Sequence, residues 1–239
     1  MSSVAVLSEA LQPTLWCDGG MRTLVSSDAW ATLTAQGRPR LYQTGDVLVR
    51  QGELGTHVVV LIDGRVKAIC SDEDGAEVLL AIRGPGDIIN EMAVIDAGLT
   101  PSTVSALTPC LARVVLANEF LAFVSANDLA LPLLRYATAR RRESEQIRVE
   151  LSTLPVSHRL IRMLLRLVEA MDSTVDGAVV VELGLPQEDL AHAIGASRSQ
   201  VAAELARLRA DGIVATGRCR LLIQDPGRLR AIDARIAAG

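Results

Sequence analysis

The sequence predicts an α+β chain with an N-terminal antiparallel β-roll, a long helix and a C-terminal winged helix-turn-helix. Three observations carry this prediction. Short runs of alternating apolar and polar residues, separated by glycines, extend from Leu41 to Leu116. Apolar residues at helical spacing replace that alternation after Ala117. Farther along, residues 187–204 divide into two short helical segments at Gly195, as in a helix-turn-helix.

These patterns divide the chain into three units. A helix over residues 22–38 precedes the roll, and together they belong to residues 1–128. The long helix occupies residues 129–154. Pro155 ends it, because proline cannot continue the backbone hydrogen bonding of a helix, and residues 155–239 form the last unit.

The roll is predicted from its short strands and regular turn signals, which are typical of antiparallel barrels and rolls. The segment Asp72–Gly75 lies between two alternating runs and has the composition of a hairpin turn. After the last strand, the spacing predicts a short helix over Asn118–Ser125 before the long helix begins.

A second pattern runs along the long helix. The residues on its 4-3 repeat are Leu133, Ala137, Arg140, Ser144, Ile147, Leu151 and Leu154. This spacing predicts a coiled-coil seam between two copies of the helix. Since Arg140 and Ser144 make the middle of the seam polar, a ligand, a partner charge or water must satisfy them. The alternative is a single amphipathic helix that lies across the sheet of its own chain.

The patterns after Pro155 follow the order of a winged helix. An amphipathic helix over residues 156–171 precedes a short strand, Val179–Leu183, and the helix-turn-helix. A hairpin that turns at Thr216–Arg218 comes last. We expect that hairpin to be the wing.

Each spacing inside the helix-turn-helix has a physical reason. Ala191 is small where the second helix crosses the first, and Gly195 can adopt the positive φ of a tight turn. The residues that share one apolar face are Leu190, Ile194, Val201 and Leu205. The alternative is an αα-hairpin of an unrelated domain. Glu204 favours that alternative, since an aliphatic residue is usual there, and Leu205 must supply the packing.

The second helix begins with short polar side chains, which such helices direct into the major groove of DNA. Arg198 can donate two hydrogen bonds to one guanine, whereas Ser199 and Ala203 offer little discrimination between bases. The residues expected to hold phosphates are Ser197 and Gln200 of the helix and Arg218 and Arg220 of the wing.

The charge distribution is compatible with DNA binding although the chain has a net charge of −4. Residues 1–134 contain 8 Lys or Arg and 15 Asp or Glu, whereas residues 135–239 contain 16 and 13. Attraction to phosphates depends on the local field rather than on the sum over the chain. The asymmetry is consistent with an acidic sensing unit joined to a DNA-binding unit.

Several other functional classes are not expected. The four cysteines and three histidines are scattered, so we expect no metal site or other cofactor. The absence of a long uncharged apolar run and of a signal peptide indicates a cytoplasmic chain without membrane association. No H-E-x-x-H, P-loop or G-x-S-x-G motif occurs, and an enzyme is therefore not expected.

Glycine-centred motifs recur in a fixed order along the roll. They are Gly45–Leu48, Gln51–Glu53, Ile62–Val66 and Gly86–Glu91, and Val156–Arg159 follows the long helix. With the helix-turn-helix, this series resembles the cyclic-AMP receptor protein/FNR (CRP/FNR) family of bacterial transcription factors. The resemblance implies a cyclic-nucleotide-binding-like jelly roll and a homodimer joined along the long helices. It also implies a palindromic operator and contact with RNA polymerase.

The resemblance implies an effector pocket, and there the sequence departs from the cyclic-AMP branch. That branch uses a Gly-Glu pair, whose glutamate accepts from the ribose hydroxyl, and an Arg-Ser pair, whose arginine binds the cyclic phosphate. Here the first pair reads Asn90-Glu91. The second falls at Thr100-Pro101 or Pro101-Ser102 and contains no arginine. A buried phosphate would lose its bidentate partner there.

The long helix departs as well, since the family's Thr-Ser pair that meets adenine corresponds to Ser144-Glu145. We therefore expect an effector other than cyclic AMP, or none. The alternative is a cyclic-nucleotide-responsive regulator in which Arg140 or Arg83 replaces the missing cation. The iron–sulfur and haem branches are not matched, because the clustered N-terminal cysteines and a suitably placed histidine are both absent.

A competing function from another class is a regulatory subunit that controls an enzyme through a nucleotide-binding roll. Such a subunit would have an intact phosphate-binding cassette and no helix-turn-helix. This sequence has the reverse combination, which favours a dimeric transcription regulator.

Overall fold

The computed structural model describes residues 20–74, 77–170, 174–175, 178–181, 187–217 and 220–237. It confirms the predicted α+β architecture, with an antiparallel β-roll, a long helix and a helix-turn-helix in that order. Among the helices in these ranges, none has both the length and the apolar character that crossing a lipid bilayer requires.

Antiparallel strands form the roll as two four-stranded sheets. The strands are β1 (Arg38–Tyr42), β2 (Val47–Val49), β3 (His57–Asp63), β4 (Val66–Ser71), β5 (Glu77–Arg83), β6 (Ile88–Ile89), β7 (Thr103–Ala106) and β8 (Cys110–Leu116). One sheet has the order β1-β8-β3-β6 and the other β2-β7-β4-β5. Strands β4 and β5 pair on either side of the predicted turn, of which Gly75 lies outside the described residues.

Strand β3 shows how alternation along one strand builds two cores. Val58 and Val60 belong to a cluster with the helices that cover the sheet. Val59 and Leu61 face the interior of the roll. All four side chains are fully buried. Because side chains alternate between the two faces of a strand, one face of β3 lines the interior of the roll and the other face contacts the covering helices.

The helices of the first half are short except for the last. After a 3-10 turn at Gly20–Leu24, they are α1 (Ser27–Ala35), α2 (Glu91–Ile95), α3 (Ala117–Ala126) and α4 (Ala130–Thr153). The prediction of one helix over residues 22–38 is wrong. Ser26 caps a separate helix by accepting a hydrogen bond from the Ala29 amide at 3.2 Å, and Arg38 already belongs to β1.

The second half is a winged helix-turn-helix. Its elements are α5 (Val156–Ala170), β9 (Thr174–Val175), β10 (Ala178–Val181), α6 (Gln187–Ala193), α7 (Arg198–Ala210), β11 (Val214–Gly217), β12 (Arg220–Ile223) and α8 (Pro226–Ala237). The predicted strand Val179–Leu183 overlaps β10, and residues 182–183 lie outside the described ranges. The spacing had not indicated α8, whose Leu229 is buried in the core of this unit.

One face of α4 packs on the roll of its own chain. Leu133 and Tyr136 are buried in the cluster that covers the first sheet. Leu133 is therefore wrongly assigned to a seam between two chains, because the roll already covers this side of the helix. The exposed apolar residues of α4 are Leu131, Leu134 and Val149.

Tyr136 joins α4 to the roll by hydrogen bonds. Its buried hydroxyl donates to the Asp87 carboxylate at 2.8 Å and accepts from the Ile88 amide at 3.1 Å. Burial raises the pKa of this hydroxyl well above its usual value, so that it remains a donor. The long helix is thereby held at one position on the sheet.

We predict that Tyr136→Phe lowers the free energy of unfolding by about 1–3 kcal/mol, because it leaves the Ile88 amide and the Asp87 carboxylate without this partner. Urea denaturation measures the change. Tyr42→Phe is the matched control, since the Tyr42 hydroxyl is also buried but has no hydrogen-bond partner among the described residues. Equal losses in both variants would contradict the role of the Tyr136 hydroxyl.

Candidate functional site

A cavity of about 190 Å³ lies between the roll and α4. Of the residues predicted to form an effector pocket, those that line it are Asn90, Glu91, Thr100, Pro101, Ser102, Arg140 and Ser144. Arg83 lines it too. Residues about fifty positions apart in the sequence are therefore brought together at one place.

Glu145, which was also predicted to belong to the pocket, is not among the residues that line this cavity. Its side chain is exposed, and its Oε1 accepts a hydrogen bond from Arg141 Nε at 2.8 Å. Successive helical residues are rotated by about 100° around the axis. Because Ser144 faces the cavity, Glu145 is carried away from it.

Asn90 adopts the left-handed backbone conformation, with φ of 70°. Asparagine tolerates this region better than most residues other than glycine, which explains how it can precede Glu91 in place of glycine. Its Oδ1 accepts from the Thr100 hydroxyl at 3.0 Å, and its Nδ2 donates to the His57 carbonyl at 3.1 Å. The Asn90 side chain thus braces the cavity wall.

Arg140 reaches from α4 to the carboxylates of the roll. Its Nη1 donates to Glu91 Oε1 at 2.7 Å, and its Nη2 lies 3.6 Å from Asp87 Oδ1. The guanidinium also lies over the Tyr136 ring, 4.3 Å from its centre. Burial alone would lower the pKa of Arg140. The effects of Glu91 and its other neighbours outweigh burial and raise the pKa above its usual value, so the guanidinium stays charged.

Arg83 and Glu143 form a second connection between the roll and α4. Arg83 Nη2 donates to Glu143 Oε2 at 2.7 Å and Nη1 to Oε1 at 3.1 Å, a bidentate pair. Both side chains are largely buried. Glu143 was not predicted from the sequence, although Tyr136, Arg140 and Glu143 follow the i, i+4, i+7 spacing of one helix face.

The electrostatics of the pocket follow from these pairs. Two largely buried cations, Arg83 and Arg140, face three buried carboxylates, those of Asp87, Glu91 and Glu143. Protein groups thus already neutralise both guanidiniums. An anionic ligand must displace a carboxylate or bind to the unused donors of Arg140, whose Nε and Nη2 make no hydrogen bond to any described residue.

The two helices of the helix-turn-helix meet at Gly195. Its φ is +56°, and an added Cβ would lie 3.3 Å from both Arg159 Nη1 and Leu151 Cδ2. The four apolar residues expected to share a core are buried together. Leu205 supplies the packing that Glu204 does not, since Glu204 pairs instead with Arg207 at 3.0 Å.

The N-terminus of α7 is ordered by its own side chains. Ser197 Oγ accepts from the Gln200 amide at 3.3 Å, and Gln200 Oε1 accepts from the Ser197 amide at 2.9 Å, which forms a capping box. Arg198, Ser199 and Ala203 are exposed. Within the described part of the chain, Arg198 has neither a hydrogen bond nor an ion pair.

The predicted wing contacts of Arg218 and Arg220 involve side chains outside the described parts of the chain. Arg218 is outside the described residues, and the side chain of Arg220 is not described although its backbone belongs to β12. At the base of the wing, Arg209 Nη1 donates to the Thr216 hydroxyl at 3.1 Å.

Two family models match the two halves of the chain. The cyclic nucleotide-binding domain matches residues 39–127, and the Crp-like helix-turn-helix domain matches residues 158–232. A CRP-like cAMP-activated global transcriptional regulator of Mycobacterium tuberculosis is 30% identical over 206 residues, which cover 86% of this chain and 92% of the relative. The chain belongs to the CRP/FNR family of transcription regulators.

A second relative and two solved structures are also similar to this chain. The cAMP-activated global transcriptional regulator CRP of Escherichia coli O157:H7 is 26% identical over 177 residues, 72% of this chain and 83% of that one. FixK2 of Bradyrhizobium japonicum has the same fold, with a TM-score of 0.71, 18% identity and coverage of 83% and 98%. So does the c-di-GMP responsive regulator CLP of Xanthomonas campestris, with a TM-score of 0.68, 20% identity and coverage of 83% and 99%.

Proposed function

We propose that this family member is a cytoplasmic homodimer that reads a palindromic operator and acts on transcription through RNA polymerase. Residues 1–128 are the effector-sensing unit, 129–154 the dimerisation helix and 155–239 the DNA-binding unit. The observation that carries the proposal is the capped start of α7, where Arg198 is exposed and free of partners among the described residues. A preorganised helix terminus of this kind suits the major groove.

The capping box gives the residues at this helix terminus different roles in DNA binding. The side chains of Ser197 and Gln200 form hydrogen bonds within the cap. Their remaining hydrogen-bonding groups therefore bind phosphates rather than bases. Arg198 is the residue that discriminates, because its guanidinium can reach both acceptors of a guanine. Ser199 and Ala203 contribute little discrimination, and Arg218 and Arg220 of the wing add phosphate contacts.

The effector of this regulator is not cyclic AMP in our proposal. The M. tuberculosis and E. coli relatives are described as cAMP-activated. In this chain the wall at Thr100–Ser102 contributes no cation, and both arginines of the cavity are paired with carboxylates. A cyclic phosphate would have to compete with Glu91 or Glu143. We propose another effector, or a regulator that works without one.

One observation favours a cyclic-nucleotide-responsive regulator as the second candidate. The buried Nε and Nη2 of Arg140 have no hydrogen-bond partner among the described residues, and Arg140 lines the cavity. A phosphate could occupy those donors while Glu91 keeps Nη1. Arg140 would then be the replacement cation.

The dimer is proposed to form through the exposed side of α4. Leu131, Leu134 and Val149 are 55%, 62% and 58% exposed, and they recur along one helix that is otherwise rich in charge. Apolar side chains in such a row are typical of a helix that pairs with a second copy.

We predict that Arg198→Ala weakens operator binding by about 1–3 kcal/mol and relaxes the preference at one guanine per half-site. Fluorescence anisotropy with the operator, single-base variants and random DNA measures both effects. Arg22→Ala removes the same charge from the exposed 3-10 turn that precedes the roll and serves as control. An equal loss on operator and random DNA would identify Arg198 as a phosphate contact instead.

We also predict a homodimer whose half-sites are one helical turn apart, roughly 34 Å. Sedimentation at micromolar concentration should show two chains for the natural protein and one for Leu134→Glu, since a buried carboxylate at the helix pair is costly. Leu54→Glu, equally exposed at 65% but on the roll, should remain dimeric. A monomer with and without operator would overturn the proposal.

A further inference from the structure

Strand β5 forms a wall between the effector cavity and the DNA-binding unit. Leu79 and Ile82 belong to the buried cluster of the DNA-binding unit, and α6 packs on this strand. Leu80, Ala81 and Arg83 line the cavity instead. One strand therefore touches both places where this regulator is expected to bind its ligands.

A β-bulge makes this division possible. Ala68 pairs with Ala81 and Ile69 with Leu79, so that Leu80 is an extra residue opposite β4. Strict alternation would place Leu79 and Ile82 on opposite faces of the strand, since they are three positions apart. The extra residue changes the alternation, and both residues reach the DNA-binding unit.

An ion pair lies beside this wall. Lys67 of β4, directly across from Ile82, donates from Nζ to Asp189 Oδ2 at 2.5 Å. Asp189 stands in the first turn of α6, and the two side chains are only 21% and 10% exposed. Lys67 is also the only lysine in the sequence.

The surroundings make this pair more than a surface contact. The buried cluster that includes Leu79 and Ile82 continues into α6 and α7 through Leu190 and Val201. A carboxylate at such a boundary is costly without its partner, because an uncompensated charge would be left partly out of water. Separation of the two units therefore exposes apolar surface and breaks the ion pair at the same time.

We propose that Lys67 and Asp189 form a latch that holds the DNA-binding unit on the β5 wall. In this docked arrangement Arg198, at the start of α7, remains exposed. The latch thus orders the unit without covering its DNA-binding surface, and it lowers the entropic cost of operator binding. The effect on operator affinity rests on the proposed function, whereas the docking does not.

The uniqueness of Lys67 gives a direct test of docking in the full-length protein. Limited acetylation with acetic anhydride, followed by mass spectrometry of the peptide that contains Lys67, measures how often its amine is free. Asp189→Asn should raise the acetylation rate by about tenfold, as loss of a charged partner shifts the docked population. Glu145→Gln, which breaks an exposed ion pair on α4, should leave the rate unchanged.

Operator titrations test the consequence for DNA. Lys67→Met, which changes no residue of the helix-turn-helix, should weaken operator binding by roughly fivefold, a typical coupling between two sites. The reversed pair Lys67→Asp with Asp189→Lys should restore affinity to within about twofold, as a double-mutant cycle requires of an interacting pair. Such a rescue would not occur if each residue merely supported its own unit.

The outcomes separate the two proposals. If Lys67 is acetylated as fast in the natural protein as in Asp189→Asn, or if Lys67→Met binds the operator equally or more tightly, the latch is refuted. If the natural protein protects Lys67 but binds no operator, the latch stands and the proposed function fails. Protection, weakening and rescue together would establish the latch.

Discussion

The rest of the molecule depends on the contacts that fix the long helix α4 to the roll. Arg140 and Tyr136 of α4 reach the carboxylates of Asp87 and Glu91, and Arg83 of β5 reaches back to Glu143 of α4. These contacts close the cavity on one side. They also fix which side of α4 is left exposed. One set of buried charges thus positions both the pocket and the proposed dimer surface.

Buried charges stabilise such an arrangement only when each has a partner, because taking an ion out of water is costly. Here Glu91 and Glu143 supply those partner charges from the chain itself. The same pairs that hold the helix therefore reduce what an added phosphate could gain. A ligand switches a protein only through its different affinity for two states, and a cavity with paired cations leaves a phosphate little difference to exploit.

Local patterns in the sequence were sufficient for the order of the main units, although they missed α8 and the division of residues 22–38. Gly195, which alone can turn the chain there at low cost, and the apolar spacing around it predicted the helix-turn-helix. Features that depend on distant packing were not predictable in this way. Leu133 fits a coiled-coil repeat as well as a contact with the roll, and only the placement of the sheet decides between them. Glu143 and the Lys67–Asp189 pair depend on residues that are 60 and 122 positions apart.

We infer that carboxylates of the protein take the place of an effector's phosphate. Calorimetry with cyclic AMP at millimolar concentration tests this most directly when it is combined with operator titrations. We expect no binding heat beyond dilution and the same operator affinity with and without the nucleotide, since Glu143 and Glu91 already neutralise the charges of Arg83 and Arg140. A micromolar Kd together with about a tenfold gain in operator affinity, a coupling of roughly 1.4 kcal/mol, would contradict the account. It would identify Arg140 as the cation that replaces the missing arginine.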